Sequence, residues 1–87
     1  MHELGITRNI VAIVDEAARG RRIVRVTLEI GALAGVEARA IAFCFDVVAR
    51  GTAAEGAVLD IVPLAGNELS IKTMEIEEAS DVRNMRM

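Results

Sequence analysis

Little in this chain is aromatic, thiol-bearing or conformationally locked: 87 residues include two phenylalanines, no tryptophan or tyrosine, one cysteine, one proline and one histidine. Each scarcity removes a class of protein. Cys44, being alone, forms no internal disulfide, and nothing points to an oxidising compartment. No apolar run approaches the roughly 20 residues of a membrane span and no signal peptide is recognisable, so a soluble, cytoplasmic setting without membrane contact is expected. Ten basic and thirteen acidic residues are scattered along the chain, for a net charge of −3. Without a basic stripe, no nucleic-acid partner is expected. The nearest approach to one, Arg19-Gly20-Arg21-Arg22, reads as a solvated turn that complements a helix end. Catalytic groupings are missing as well. With one imidazole, and with Ser70 and Ser80 in the last strand and the tail, no nucleophile, base and orienting group can be assembled, and there is no glycine-rich phosphate loop. An enzyme is not expected.

What is present is aliphatic, at 53% hydrophobic residues, and its periodicity changes along the chain. From Leu4 to Arg19 the residues Ile6, Ile10, Ile13, Val14 and Ala17 recur at helical spacing, and Gly20 ends the run. From Ile23 to Leu33 the period becomes two, with Val24, Val26, Leu28 and Ile30 alternating with Arg25, Thr27 and Glu29. A second helix carries Ile41, Cys44, Phe45 and Val48 on one stripe and closes at Gly51. On that stripe Cys44 reads as a small buried hydrophobe rather than a reactive thiol. Ala57 to Val62 forms a second strand stopped by Pro63, and Leu64 to Asn67 is turn chemistry. In the third strand, Glu68 to Glu77, Leu69 and Ile71 share one face and Met74 and Ile76 the other, so a bulge or a change of packing partner near Lys72-Thr73 is expected. Glu77-Glu78 are strand-end charges in water, and Ala79 to Met87 is expected to fray. The fold class is α/β (α+β). It has a three-stranded mixed sheet with two helices on one face, in the order helix-strand-helix-strand-turn-strand, the turn making a hairpin of the last two strands.

The start, Met1-His2-Glu3, combines chemistry found nowhere else in the chain. A free Met1 amine, the His2 amide nitrogen if deprotonated and a His2 ring nitrogen form a planar nitrogen-rich set suited to Ni(II) or Cu(II) more than to tetrahedral zinc. The Glu3 amide nitrogen or carboxylate can complete the fourth position. Because His2 is bulky, Met1 is expected to stay in place, which an intact mass checks. Most N-terminal histidines are simply exposed and mobile.

Taken together, MHELGIT, VRVTLEIGALAGV, AIAFCFDVVARGT with AEGAVLDIV, and NELSIKTMEIEE resemble the HypA family of nickel metallochaperones for maturation of nickel-iron hydrogenases, over residues 1–62 and 66–78. The resemblance implies one nickel-binding domain over residues 1–78, holding Ni(II) through the Met1 amine, His2 and Glu3. It also implies a HypB-type GTPase and the hydrogenase large subunit as partners. Glu37, near the start of the second helix, is expected first as a capping carboxylate and second as an accessory ligand. Family members carry a zinc ribbon between the second and third strands, where this chain has only Pro63-Leu64-Ala65-Gly66. With Cys44 alone, a four-cysteine zinc site is excluded. The ribbon is thus absent between about residues 62 and 67, by deletion or in a zinc-less relative. The alternative is an interaction module without metal traffic, self-associating by strand exchange or edge pairing or docking a maturation partner.

Overall fold

The computed structural model describes residues 2–77, in the order α1 (Glu3–Ala18), β1 (Ile23–Gly31), α2 (Ala38–Val48), β2 (Val58–Leu64) and β3 (Leu69–Ile76). This is the expected set of two helices and a three-stranded mixed sheet. Met1, Glu78 and the tail from Ala79 to Met87 lie outside the described residues.

One aliphatic core joins both helices to one face of the sheet. Val26 and Leu28 of β1, Val14 of α1, and Ile41 and Phe45 of α2 are buried there. Leu59 and Ile61 of β2 and Ile71, Met74 and Ile76 of β3 are packed against them. Removing this much aliphatic surface from water is the main force holding so small a domain together. Arg25 on β1 instead forms ion pairs with Asp60 on β2 and Glu75 on β3, all partly exposed, so these pairs add little stability.

The strands lie in the order β2-β1-β3, with β2 parallel and β3 antiparallel to β1. This corrects the expected hairpin: β2 and β3 are not neighbours, and the segment between them crosses the end of β1. Gly31 donates to the Glu68 carbonyl at 2.8 Å, and Leu33 to the Gly66 carbonyl at 2.8 Å. Gly31 has to be glycine here, because a Cβ would run into the Gly66 carbonyl and the Glu68 carboxylate. The strand also continues through Pro63 to Leu64 rather than stopping at the proline. An edge strand tolerates a residue without an N–H, and β2 is an edge.

The expected bulge is present. Thr27 pairs with Thr73, but Leu28 pairs with Ile71, which leaves Lys72 as the extra residue and brings Ile71 onto the same face as Met74 and Ile76. A second irregularity near Ile23 buries that residue and exposes Val24, reversing the expected alternation at the start of β1. On α1 the buried stripe is Thr7, Ile10, Val11, Val14 and Ala18. Ile13 is 57% exposed and Ala17 also faces out, so the inward face is rotated from the expected one. The helix closes on Arg19 in a left-handed conformation (φ 52°), with Gly20 following at φ 83°. On α2, Ile41 and Phe45 are buried as expected, whereas Cys44 is only half-buried.

Candidate metal site at the helix starts

Both helices begin at the end of the domain where β1 stops. At that end the Glu37 N–H donates to Glu3 Oε2 at 2.9 Å, and at the other end the Ala53 N–H donates to Asp15 Oδ1 at 2.8 Å. Two ties, start to start and end to end, hold α1 and α2 parallel. Glu3 is the first residue of α1 and Glu37 the N-cap of α2, so one carboxylate joins the starts of both helices. An anion is favoured here by the unpaired N–H groups and partial positive charge of a helix N-terminus. The Glu37 carboxylate turns inward on its own helix and accepts the Arg39 N–H at 3.3 Å. Its expected role as a capping carboxylate is thus observed.

Glu3 is further fixed from beneath. Its carbonyl accepts the hydroxyl of Thr7 at 2.7 Å, and Thr7 is completely buried. The Glu37 N–H, and next its own main-chain N–H, hold the Glu3 carboxyl below the ordinary glutamate range. Glu3 is therefore a carboxylate with one oxygen, Oε2, engaged by the fold. Sequence reasoning placed Glu3 as a ligand and missed this role, because the partner amide lies 34 residues away.

His2 stands just outside the helix as N-cap of α1, at φ −88° and ψ 84°. Its carbonyl accepts the Ile6 N–H at 3.1 Å, which anchors the backbone. Its ring makes no capping hydrogen bond and the residue is exposed. The structure thus brings His2, Glu3 and Glu37 to one end of the domain with different freedom: an unengaged imidazole, a committed carboxylate and a capping carboxylate. Among the described residues, no three His, Cys, Asp or Glu side chains converge as a ready metal cluster. Met1, the remaining expected ligand, lies outside the described residues. Cys44, two turns further along α2, is not part of this group, and among the described residues no helix is long and apolar enough to cross a membrane.

Residues 1–67 match the family model described as "Hydrogenase/urease nickel incorporation, metallochaperone, hypA". The hydrogenase maturation factor HypA of Trichodesmium erythraeum is 61% identical over 66 residues, covering 76% of this chain and 58% of that protein. The HypA of Rhodobacter capsulatus is 47% identical over 88 residues, covering 94% of this chain and 78% of the relative. The chain spans about three fifths of the length of several such cyanobacterial relatives. Among solved structures, the solution structure of the Ni metallochaperone HypA from Helicobacter pylori superposes with a TM-score of 0.78 at 18% identity. The superposition covers 87% of this chain and 97% of that one, a likeness of fold.

Proposed function

This chain belongs to the HypA family, and from that premise we propose that it is a nickel carrier for hydrogenase maturation, without enzymatic turnover, that takes Ni(II) as cargo at the start of α1. The observation that carries the reading is the unengaged His2 ring at a backbone position fixed by the Ile6 and Glu37 hydrogen bonds. The Met1 amine, the His2 amide and ring nitrogens and the Glu3 amide supply a four-nitrogen plane, the arrangement Ni(II) favours over zinc. The Glu3 carboxylate serves as the strut that keeps this short segment against the domain. Glu37, its carboxylate turned to its own helix, is the accessory ligand of second rank.

Delivery follows from the same geometry. Ligands at the first residues of a chain are reached from one side without opening a core, which suits transfer to an acceptor. The acceptor is the hydrogenase large subunit, with a HypB-type GTPase as the helper. The nickel-binding domain covers residues 1–78, and the ribbon of longer relatives has no counterpart between 62 and 67; Pro63 and Leu64 complete β2, and residues 65–68 carry the chain across the end of β1. An interaction module without metal traffic is the rival, and one titration separates them. Ni(II) added to the chain, its Met1 verified by intact mass, is expected to give the visible absorption of a planar nitrogen complex at one equivalent. His2→Ala is expected to abolish that band while leaving the circular dichroism of the fold unchanged. An unchanged band in the variant rejects the site.

A further inference from the structure

On the side of the sheet away from β2, α1 and β3 leave an apolar groove of about 370 Å³ between them, lined by Ile6, Ile10 and Ile13 of α1 and by Leu69 and Ile71 of β3. Two of these large aliphatic side chains face water there, Ile13 at 57% exposed and Leu69 at 39%. The same strand is an edge. Among the described residues β3 pairs with β1 on one side only, and unlike β2 it holds no proline. A strand laid along β3 would pair that row of main-chain groups and cover the groove at once.

We propose that the chain supplies this strand itself: residues 81–87 return along the free edge of β3, antiparallel to it, and place Met85 and Met87 in the groove. Reach and register both fit. β3 ends at Ile76, beside the start of β1, so residues 78–87 leave from the end of β3 opposite the groove and reach it by doubling back. A four-residue loop over 77–80, built on a type I turn that accepts most residue types, sets Asp81 opposite Ile76. Seven residues, 81–87, then face the seven positions of β3 that pair with β1, the bulged Lys72 being passed over. In this register Met85 lies opposite Ile71 and Met87 opposite Leu69 on the groove side, while Asn84 and Arg86 meet Thr73 and Ser70 on the outer face of the sheet. A slip of one residue would turn Asn84 and Arg86 into the groove and both methionines to water. Toward the end of α1, Arg83 and Asp81 fall opposite Met74 and Ile76. At that level Glu16 and Arg19 are exposed, with no ion pair among the described residues, and offer the opposite charges. Unbranched methionine side chains adapt well to an irregular groove. Such a segment frays on its own, but its tether holds it beside the edge at an effective concentration a separate peptide does not reach.

Nuclear magnetic resonance on the whole chain, without added metal, tests the proposal. The methyl groups of Met85 and Met87 are expected to show nuclear Overhauser contacts to Ile13 and Leu69. The β3 amides that point away from β1 are expected to exchange with solvent about tenfold or more slowly than in the double variant Met85→Asp, Met87→Asp. That variant is expected to lose the methyl contacts while keeping the slow exchange of β1 and the circular dichroism of the helices. Mixing labelled with unlabelled chains identifies whose strand is bound. Contacts within one molecule support the proposal, and contacts only between molecules overturn it, since the groove then takes the strand of another copy. Methionine methyl groups without contacts to Ile13 and Leu69 overturn it as well, and so do β3 edge amides that exchange equally fast in the two chains.

Discussion

The two ends of the α1–α2 pair are tied in different ways. Where the helices end, the half-buried Asp15 holds the Ala53 N–H, Ala18 and Ala54 are buried beside it, and the Ala53 carbonyl receives the Ile23 N–H that starts the sheet. Where they begin, the tie is the exposed Glu3–Glu37 hydrogen bond, and just beyond it the His2 ring makes no capping hydrogen bond. The closed end gains stability from buried groups. The open end is fixed in its backbone by exposed hydrogen bonds, which is what the proposed carrier role asks of it. The difference teaches that position and availability are supplied by separate groups: Glu3, Thr7 and Glu37 place the segment, and the exposed His2 ring outside it is the group on which the proposed site draws.

The largest effect expected is at the open end but beneath the site, where the β2–β3 connection crosses β1. Gly31→Ala forces the Gly66 backbone to move and is expected to cost about 3 kcal/mol or more in chemical denaturation, with loss of the native state at moderate temperature. At the closed end, Asp15→Ala leaves the Ala53 N–H without its carboxylate. It is expected to cost about 1–2 kcal/mol in the same measurement without changing nickel affinity, which shows that the two ends are separable. The smallest effect belongs to Glu3→Gln, which retains an acceptor for the Glu37 N–H but not the charge. Because the folded-state pKa of Glu3 is lowered, its contribution is present above the unfolded glutamate pKa and lost as pH falls through the lower folded value. Wild type is therefore expected to be slightly more stable than the variant at neutral pH. The gap should close in acid, as read from paired thermal melts below the ordinary glutamate range.

Much of this contrast was legible in the sequence, because periodicity reports which side of an element meets the core. The inward face of α2 at Ile41 and Phe45 follows from spacing alone, and the slip in the β3 pattern marks where the register shifts, at Lys72, as either a bulge or a change of packing partner would. The misplaced features depend on neighbours that spacing does not identify. The face of α1 turned because Thr7, a polar residue, takes a buried position by bonding the Glu3 carbonyl, while Ile13 is left outside. Pro63 continued a strand because β2 lies at the edge, a fact of strand order. That order, with β1 in the middle, cannot be read from a short turn, which suits a hairpin and a crossing equally well. At the site, His2 and Glu37 were placed as the structure has them, exposed and capping. The Glu3 strut joins residues 34 positions apart and carries no local signal.

The claim that the start of the chain, rather than the histidine side chain alone, holds the metal is tested most directly by calorimetric nickel titration of two preparations. One has Met1 free, and the other has the Met1 amine acetylated, which keeps His2, Glu3 and the fold but removes the amine as a donor. The account predicts single-site binding to the first and loss of at least about 2 kcal/mol of binding free energy, roughly a thirtyfold weakening, in the second. Equal affinity in the two preparations would contradict it.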